Sequence, residues 1–455
     1  MKNFLSNLFE KNLLLAAVVI VGAILRYYLY VNSPMYTTDG TTGYLHPDAR
    51  EYVAASSFIL ENGLLAYFSN EISVDLACGT PLYLALMYNI FDGNFQYIRM
   101  FGIFLSCVQI VLIYKISFKL FKNFQIAILA AIFLALNAYL ANFSYTLLTE
   151  TISLFCWSMF VYFYLTCKEA DKNFFVCAIL SAIFLWAATL IRAVSLLLPL
   201  ALFIFYIAYY LWKKNSSAKF ECKIWLTIGI AFYILLSPFI IKNHILFNFN
   251  NLCTGGGTAL FLGSRVESYG DEPAFYGSDY GCIYKVIGAN SHRAIESDRK
   301  LYAAGIETIK AHPYEYFKMN IKKIARLTTG TNFSWFNPVQ KNSLIEVNES
   351  YGNQWTIKFL CIIFLYTAVF SFAVLGICRQ CKNFELSGMI LFPMYFLVLS
   401  LPFLAILRYG LILFIFAAIW AASEIVSICQ NKQYKLFTVG LFAALVMEFY
   451  IAMGF

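Results

Sequence analysis

The chain has 455 residues, 61% of them hydrophobic, with a net charge of +8 and a mean hydropathy of +0.68. A soluble domain is about half apolar, and the excess here gathers into runs of about 20 residues, the length that crosses a bilayer, so a soluble globular protein is excluded. The basic residues sit mostly in short connections between these runs, which excludes a nucleic-acid-binding surface and leaves the bilayer as the surrounding partner.

In chain order, the first predicted span is Leu13 to Val31, preceded by Lys2 and Lys11 and followed by no small-residue cleavage site, so it reads as an uncleaved anchor. A polar segment follows, from Asn32 to Thr80. Pro81 to Phe91 is apolar but too short to cross, as expected of a re-entrant or interfacial helix. Further spans are predicted at Gln96–Phe118, Gln125–Asn142, Glu150–Lys168, Phe174–Leu190, Ser195–Trp212 and Ile224–Ile241. After a hydrophilic region from Lys242 to Gln354 come Thr356–Cys378, Leu386–Leu401, Tyr409–Cys429 and Leu436–Met453. The expected fold is therefore an all-α polytopic membrane protein with about eleven crossings. Its parts are an N-terminal transmembrane module (1–241) carrying a first outer loop (32–95), an outer loop domain (242–354) and C-terminal transmembrane helices (355–455).

Lys115/Lys119/Lys122, Lys168/Lys172, Lys213 to Lys223, Arg379/Lys382 and Lys432/Lys435 all fall on one side of this arrangement. Basic connections mark the cytoplasmic side, so the 32–95 and 242–354 loops face outward. Within the outer loop, Gly255, Gly256 and Gly257 suit tight turns. Ala294–Ala311 is predicted to be an amphipathic helix with Ile295, Tyr302, Ile306 and Ile309 on its apolar side. His312-Pro313 ends it and opens another. There Phe317, Ile321 and Ile324 share a face, with Lys318, Lys322, Lys323 and Arg326 elsewhere, the pattern of a helix lying on a membrane surface.

The polar cluster Leu45–Gly63 carries the chemistry expected of this chain. His46, Asp48, Arg50, Glu51 and Tyr52 crowd together where charge is costly and tends to mark function. Asp48 followed by Glu51 also has the form of a helix capping box, with Tyr52, Val53, Ser56, Ile59 and Leu60 facing one way and Gly63 as the stop. Glu150 heads a span, where a helix dipole favours a carboxylate. Arg192 and Arg408 stand at span ends, where arginines snorkel to the interface. Each has that ordinary explanation, but together they place carboxylates and guanidiniums on the outer face. Arginine grips phosphate through paired hydrogen bonds, and a carboxylate beside a hydroxyl is a candidate general base. The combination suits transfer from a phosphate leaving group to a hydroxyl.

With these residues in this order the chain resembles the GT-C glycosyltransferases that use polyprenyl-phosphate sugars, the group of protein O-mannosyltransferases and lipid A aminoarabinose transferases. The resemblance runs from about Leu13 to Cys429 and rests on HPDAREY, GTPLYLALMYNIF (with Tyr83), YIRMFGIF (with Arg99), LLTET, LIRAVSLLLPLALF, GGGTALFLGS (followed by Arg265), the helix ending in His312-Pro313, and LRYGLILF. It implies Asp48 as base or acceptor-orienting carboxylate and Glu150 as a second active-site carboxylate. Arg192 and Arg408 would bind the lipid phosphate, with His46, Arg50, Glu51, Tyr52, Tyr83, Arg99 and Arg265 as further substrate contacts. Reaction would invert the sugar carbon on the outer face, with a glycan or lipid of the cell envelope as acceptor and a bacterial inner membrane as the setting.

The chain departs from the family in having Asp48-Ala49 where Asp-Glu is common. Gly79 and Thr80 precede Pro81 where aminoarabinose transferases carry a lysine, so a phosphate-binding lysine is not expected there. The absence of a WWDYG-like motif argues against an oligosaccharyltransferase. No cofactor is expected; a divalent metal at His46 and Asp48 is conceivable but not indicated, given 4 His and no cluster. Cys78, Cys253 and Cys282 fall in outer segments where one disulfide among them is open. The rival reading is a flippase or transporter of lipid-linked sugars, which calls for ionisable residues along the middle of spans; a third is an O-antigen polymerase or ligase.

Overall fold

The computed structural model describes residues 2–33, 47–169, 173–268, 270, 281–288, 290–329 and 353–452. Among them the apolar runs are helices, and no strand is present. Seven helices are long and apolar enough to cross a membrane, and three shorter apolar helices accompany them among the described residues. The protein is an all-α, polytopic integral membrane protein. The chain folds as two compact units, Met1–Cys253 and Thr254–Phe455.

The first unit contains α1 (Lys2–Val31), α2 (Pro47–Phe68), α3 (Ile72–Asp75), α4 (Gly79–Ile90), α5 (Phe95–Phe121), α6 (Phe124–Ala135), α7 (Ala138–Phe143), α8 (Glu150–Glu169), α9 (Phe174–Ile191), α10 (Leu198–Lys213) and α11 (Ser216–Phe247). Its tight connections share one chemistry. Lys122 and Lys214 end their helices in the left-handed region, and Asn123 and Asn215 each accept the first free amides of the next helix. Helix α5 packs on α1, α6 and α8, and α9 packs on α8 and α11. Trp157, Phe160, Tyr164 and Trp225 fill the α8–α11 contact, with ring centroids 5.1–6.3 Å apart.

The expected third span, Gln125–Asn142, is not continuous. Helix α6 stops at Ala135, and α7 starts afresh with the Asn137 side chain accepting the Leu140 amide. The last carbonyls of α6 are taken up by Arg26 of α1. Its guanidinium donates to Ala135 O (3.1 Å), Leu134 O (3.3 Å), Gly22 O (2.9 Å) and Ser106 Oγ (2.8 Å). A helix end inside an apolar layer needs such a donor. The donor lies more than a hundred residues upstream, so within the third run only the capping residue Asn137 marks the break.

The second unit contains α12 (Gly256–Ser264), α13 (Gly281–Ile287), α14 (Ile295–Ala311), α15 (Pro313–Thr329), α16 (Asn353–Gln380), α17 (Ser387–Ser400), α18 (Leu407–Gln430) and α19 (Tyr434–Ala452). The outer-loop helices α12–α15 thus belong to the same unit as the C-terminal helices. Helix α15 packs on α16 and α18, while α12 packs on α14. Two expected faces are corrected. On α14 the buried residues are Ser297, Asp298, Leu301 and Gly305, and Ile306 is exposed. Polar and small residues win because α12 approaches so closely that only Gly257 and Gly305 fit between the backbones; a Cβ at Gly257 would lie 2.1 Å from Asp298 O. On α15, Met319, Lys323 and Leu327 face the protein, whereas Phe317 and Ile321 are 65% and 52% exposed. The helix keeps its outward apolar stripe, as expected, but Lys323 is not among its solvated lysines.

Candidate active site

In the first unit the site is built where α8 begins and α9 ends. Arg192 leaves α9 in an extended conformation (φ −143°, ψ 112°), which turns its side chain back over the head of α8. Its Nη2 donates to Glu150 Oε1 at 2.8 Å and its Nε to Thr149 Oγ1 at 2.9 Å. The Glu150 side chain is 1% exposed and that of Arg192 is 22%. The carboxylate is sealed beneath the guanidinium, and the guanidinium is the member of the pair that reaches the surface.

Helix α4 is brought against this pair by Gly79. A Cβ there would stand 2.6 Å from Leu190 C and 2.7 Å from Ile191 N, so only glycine lets α4 start on the last turn of α9. That gives a physical reason for glycine where related enzymes were expected to carry a lysine close by. Gly102 of α5 does the same against the loop before α8, since its Cβ would lie 2.4 Å from Ser144 O. Between these elements a small cleft is lined by Tyr83, Ile98, Ser144, Thr146, Leu148 and Thr151. Arg99 is buried behind it and donates to Tyr145 O at 2.8 Å, holding the loop that leads to Glu150.

Asp48, Glu51 and Tyr52 lie in the first turns of α2, which packs on α4. Asp48 and Glu51 are partly buried, Arg50 is exposed, and Tyr52, Ser56 and Ile59 form the buried face. Gly63 has φ 84° and breaks the helix, the stop expected from sequence. His46 lies outside the described residues. No group of three His, Cys, Asp or Glu side chains with metal-ligand potential occurs among the described residues. Cys78, Cys253 and Cys282 form no disulfide with one another. Burial, reinforced by the neighbouring Cys253, pushes the Cys78 thiol up to about 12.

In the second unit, Asp298 of α14 reaches the glycine-rich turn, its Oδ1 accepting the amides of Gly255 (2.9 Å) and Gly257 (2.7 Å). Burial raises its carboxyl above the usual range, against the pull of these amides and of Arg293. Arg265 is paired with Glu267 at 2.6 Å. Arg408 sits in the first turn of α18, partly buried.

A family model described as dolichyl-phosphate-mannose-protein mannosyltransferase matches residues 77–241, the stretch holding Tyr83, Arg99, Glu150 and Arg192. No curated protein sequence matches the chain. Among solved structures, the chain is similar to the oligosaccharyltransferase of Archaeoglobus fulgidus with Zn and sulfate, at TM-score 0.55 and 11% identity, covering 97% of this chain and 52% of that one. It is also similar to AglB from the same organism in complex with an inhibitory peptide and a dolichol-phosphate, at TM-score 0.57 and 12% identity, covering 98% and 56%. The chain thus spans about half the length of these structures. The fold is that of these GT-C structures.

Sequence reasoning missed Arg26, although an arginine inside an apolar span is itself a signal. It missed the close-approach glycines Gly79 and Gly102, which carry no local mark, and the burial of Lys323 and Asp298.

Proposed function

We propose that the chain transfers a sugar from a polyprenyl-phosphate donor to a hydroxyl of a cell-envelope glycan or lipid, on the outer face of a bacterial inner membrane. The observation that carries this reading is the Glu150–Arg192–Thr149 arrangement, a partly exposed guanidinium oriented by a sealed carboxylate, inside the segment that matches the mannosyltransferase family. A guanidinium held in this way is preorganised for a phosphate. The dolichol-phosphate held by AglB, which has the same fold, supports a lipid-linked donor.

In this reading Asp48 accepts the proton of the acceptor hydroxyl as its oxygen attacks the anomeric carbon from the side opposite the donor phosphate. The carbon–oxygen bond to the phosphate breaks, and the departing lipid phosphate keeps the electron pair. Arg192 neutralises that charge, and the configuration at carbon inverts; Arg408, in the second unit, is read separately as a ligand of polyprenyl phosphate. Glu150, lying beneath Arg192, sets the guanidinium and has no exposed edge to meet the substrate. Arg99 supports the loop before α8. The buried charge of Arg26 is spent on helix-terminal carbonyls, and Glu221 and Glu424 are paired with Lys168 (2.6 Å) and Arg379 (2.9 Å) near helix ends. Such fixed pairs favour an enzyme over a carrier with mobile mid-span charges.

The test is transfer of radiolabelled sugar from polyprenyl-phosphate donors in membranes. Asp48→Asn, at matched expression, is expected to lose transfer by about 100-fold or more, the scale of a general base. Transfer undiminished in this variant would remove Asp48 from the reaction, and labelled lipid crossing the membrane without transfer would favour a flippase.

A further inference from the structure

Lys323 of α15 is fully buried, and its Nζ donates to three backbone carbonyls: Gly263 O at 2.5 Å, Leu401 O at 2.8 Å and Phe403 O at 3.0 Å. A buried ammonium is costly unless hydrogen-bonded, and an apolar side chain of similar size is often the more stabilising choice at such sites. The charge is therefore best understood through what it holds. Leu401 and Phe403 flank Pro402 in the non-helical connection between α17 and α18. Their carbonyls follow the C-terminus of α17, where a cation also complements the helix dipole.

The same connection is fixed from other sides. Leu404 N donates to Ala259 O (2.8 Å) and Ala405 N to Gly270 O (3.3 Å). A Cβ at Gly263 would stand 2.3 Å from Phe403 C, and one at Gly410 would stand 2.2 Å from Leu327 O. A Cβ at Gly270 would lie 2.3 Å from Lys323 Cε, so the pocket is cut to the lysine stem. The connection leads within a few residues to Arg408, in the first turn of α18.

We propose that Lys323 is a positioning residue: by gripping three carbonyls it fixes the 401–406 connection and thereby places Arg408 for the lipid phosphate. The proposal rests on the reading of Arg408 as a phosphate ligand, and its test does not depend on turnover. Polyprenyl phosphate binding and amide hydrogen exchange are measured on the purified full chain. Lys323→Ala is expected to speed exchange at Leu404 and Ala405 and to weaken polyprenyl phosphate binding, each by about tenfold or more. Propylammonium, which fits the space left by the truncated side chain, restores both. Lys323→Met shows the same losses without rescue, because its side chain fills that space; it also serves if the alanine variant fails to fold.

Combined with Arg408→Ala, the lysine change adds no further loss of binding, because both act on one contact. Unchanged exchange at Leu404 and Ala405, additive losses with Arg408→Ala, or faster exchange with unaltered lipid-phosphate affinity would each overturn the proposal. If the wild type binds no polyprenyl phosphate, the donor reading and this inference fall together. If it binds without transferring sugar, only the transferase reading fails.

Discussion

The Glu150–Arg192 pair makes a quantitative prediction because its two members are buried so unequally. Removing one member of a fully buried pair costs about 3–5 kcal/mol, while an exposed pair contributes about 0.2–1 kcal/mol. Arg192→Ala leaves a carboxylate sealed at 1% exposure without its guanidinium, so its cost lies near the buried limit, about 3 kcal/mol. Glu150→Ala leaves a guanidinium that is 22% exposed and able to turn towards solvent, so its cost is smaller, about 1–2 kcal/mol. The double variant costs less than the sum, with a coupling energy of about 1–2 kcal/mol. Unfolding in detergent by chemical denaturation, run as a double-mutant cycle, measures all three. If Glu150→Ala is the more destabilising, or if the coupling falls below about 0.5 kcal/mol, the pair is not the sealed carboxylate and outward guanidinium described above. The role given to Glu150 as the group that orients Arg192 then fails as well.

Gly79→Ala forces a methyl group into the backbone of Leu190 and Ile191, so it should cost about 1–3 kcal/mol by overpacking and depress transfer through the displaced α4; a melting temperature equal to wild type would refute this. Asp298→Asn preserves an oxygen for the amides of Gly255 and Gly257 and should be close to neutral, whereas Asp298→Ala leaves the buried Gly257 donor and the partly buried Gly255 donor without it and should cost about 2–3 kcal/mol in the same denaturation assay. Burial raises the Asp298 carboxyl, so the folded state binds its proton more readily than the unfolded chain. That contribution is complete below the ordinary carboxylate range and is lost as pH rises through the raised value. Asp298→Asn should abolish this part of the pH dependence, and an unaltered profile would show that the carboxyl does not titrate there.

Most of the helical architecture was legible in the chain because hydrophobic runs of bilayer length admit only one secondary structure in lipid. The ends of α8 and α9 follow from the same runs, whereas α11 runs from Ser216 to Phe247, beyond the expected Ile224–Ile241 at both ends. The third run shows the limit of that logic. Between Gln125 and Asn142 only the capping residue Asn137 marks a break, and the donor that satisfies the end of α6 is Arg26, on another helix. The candidate residues Glu150 and Arg192 could be picked out separately, as charges at span ends, but their pairing depends on the packing of α8 against α9.

What the sequence determined by itself is therefore the class of molecule: its helices, their approximate limits, and the small set of charges that its apolar mass makes conspicuous. The all-α polytopic fold agrees with that reading. Tertiary structure alone decided which charges are exposed and which are sealed. Hydrophobic periodicity predicted an apolar face on α14, yet the face that packs carries Ser297, Asp298 and Gly305, because close backbone approach favours small residues and hydrogen bonds over bulk. It predicted solvated lysines on α15, yet Lys323 is buried among carbonyls contributed by residues about 60 and 80 positions away. Length and hydropathy are local sums that a sequence displays directly. Satisfying a buried polar group requires partners brought from elsewhere in the chain, and only the folded structure supplies them.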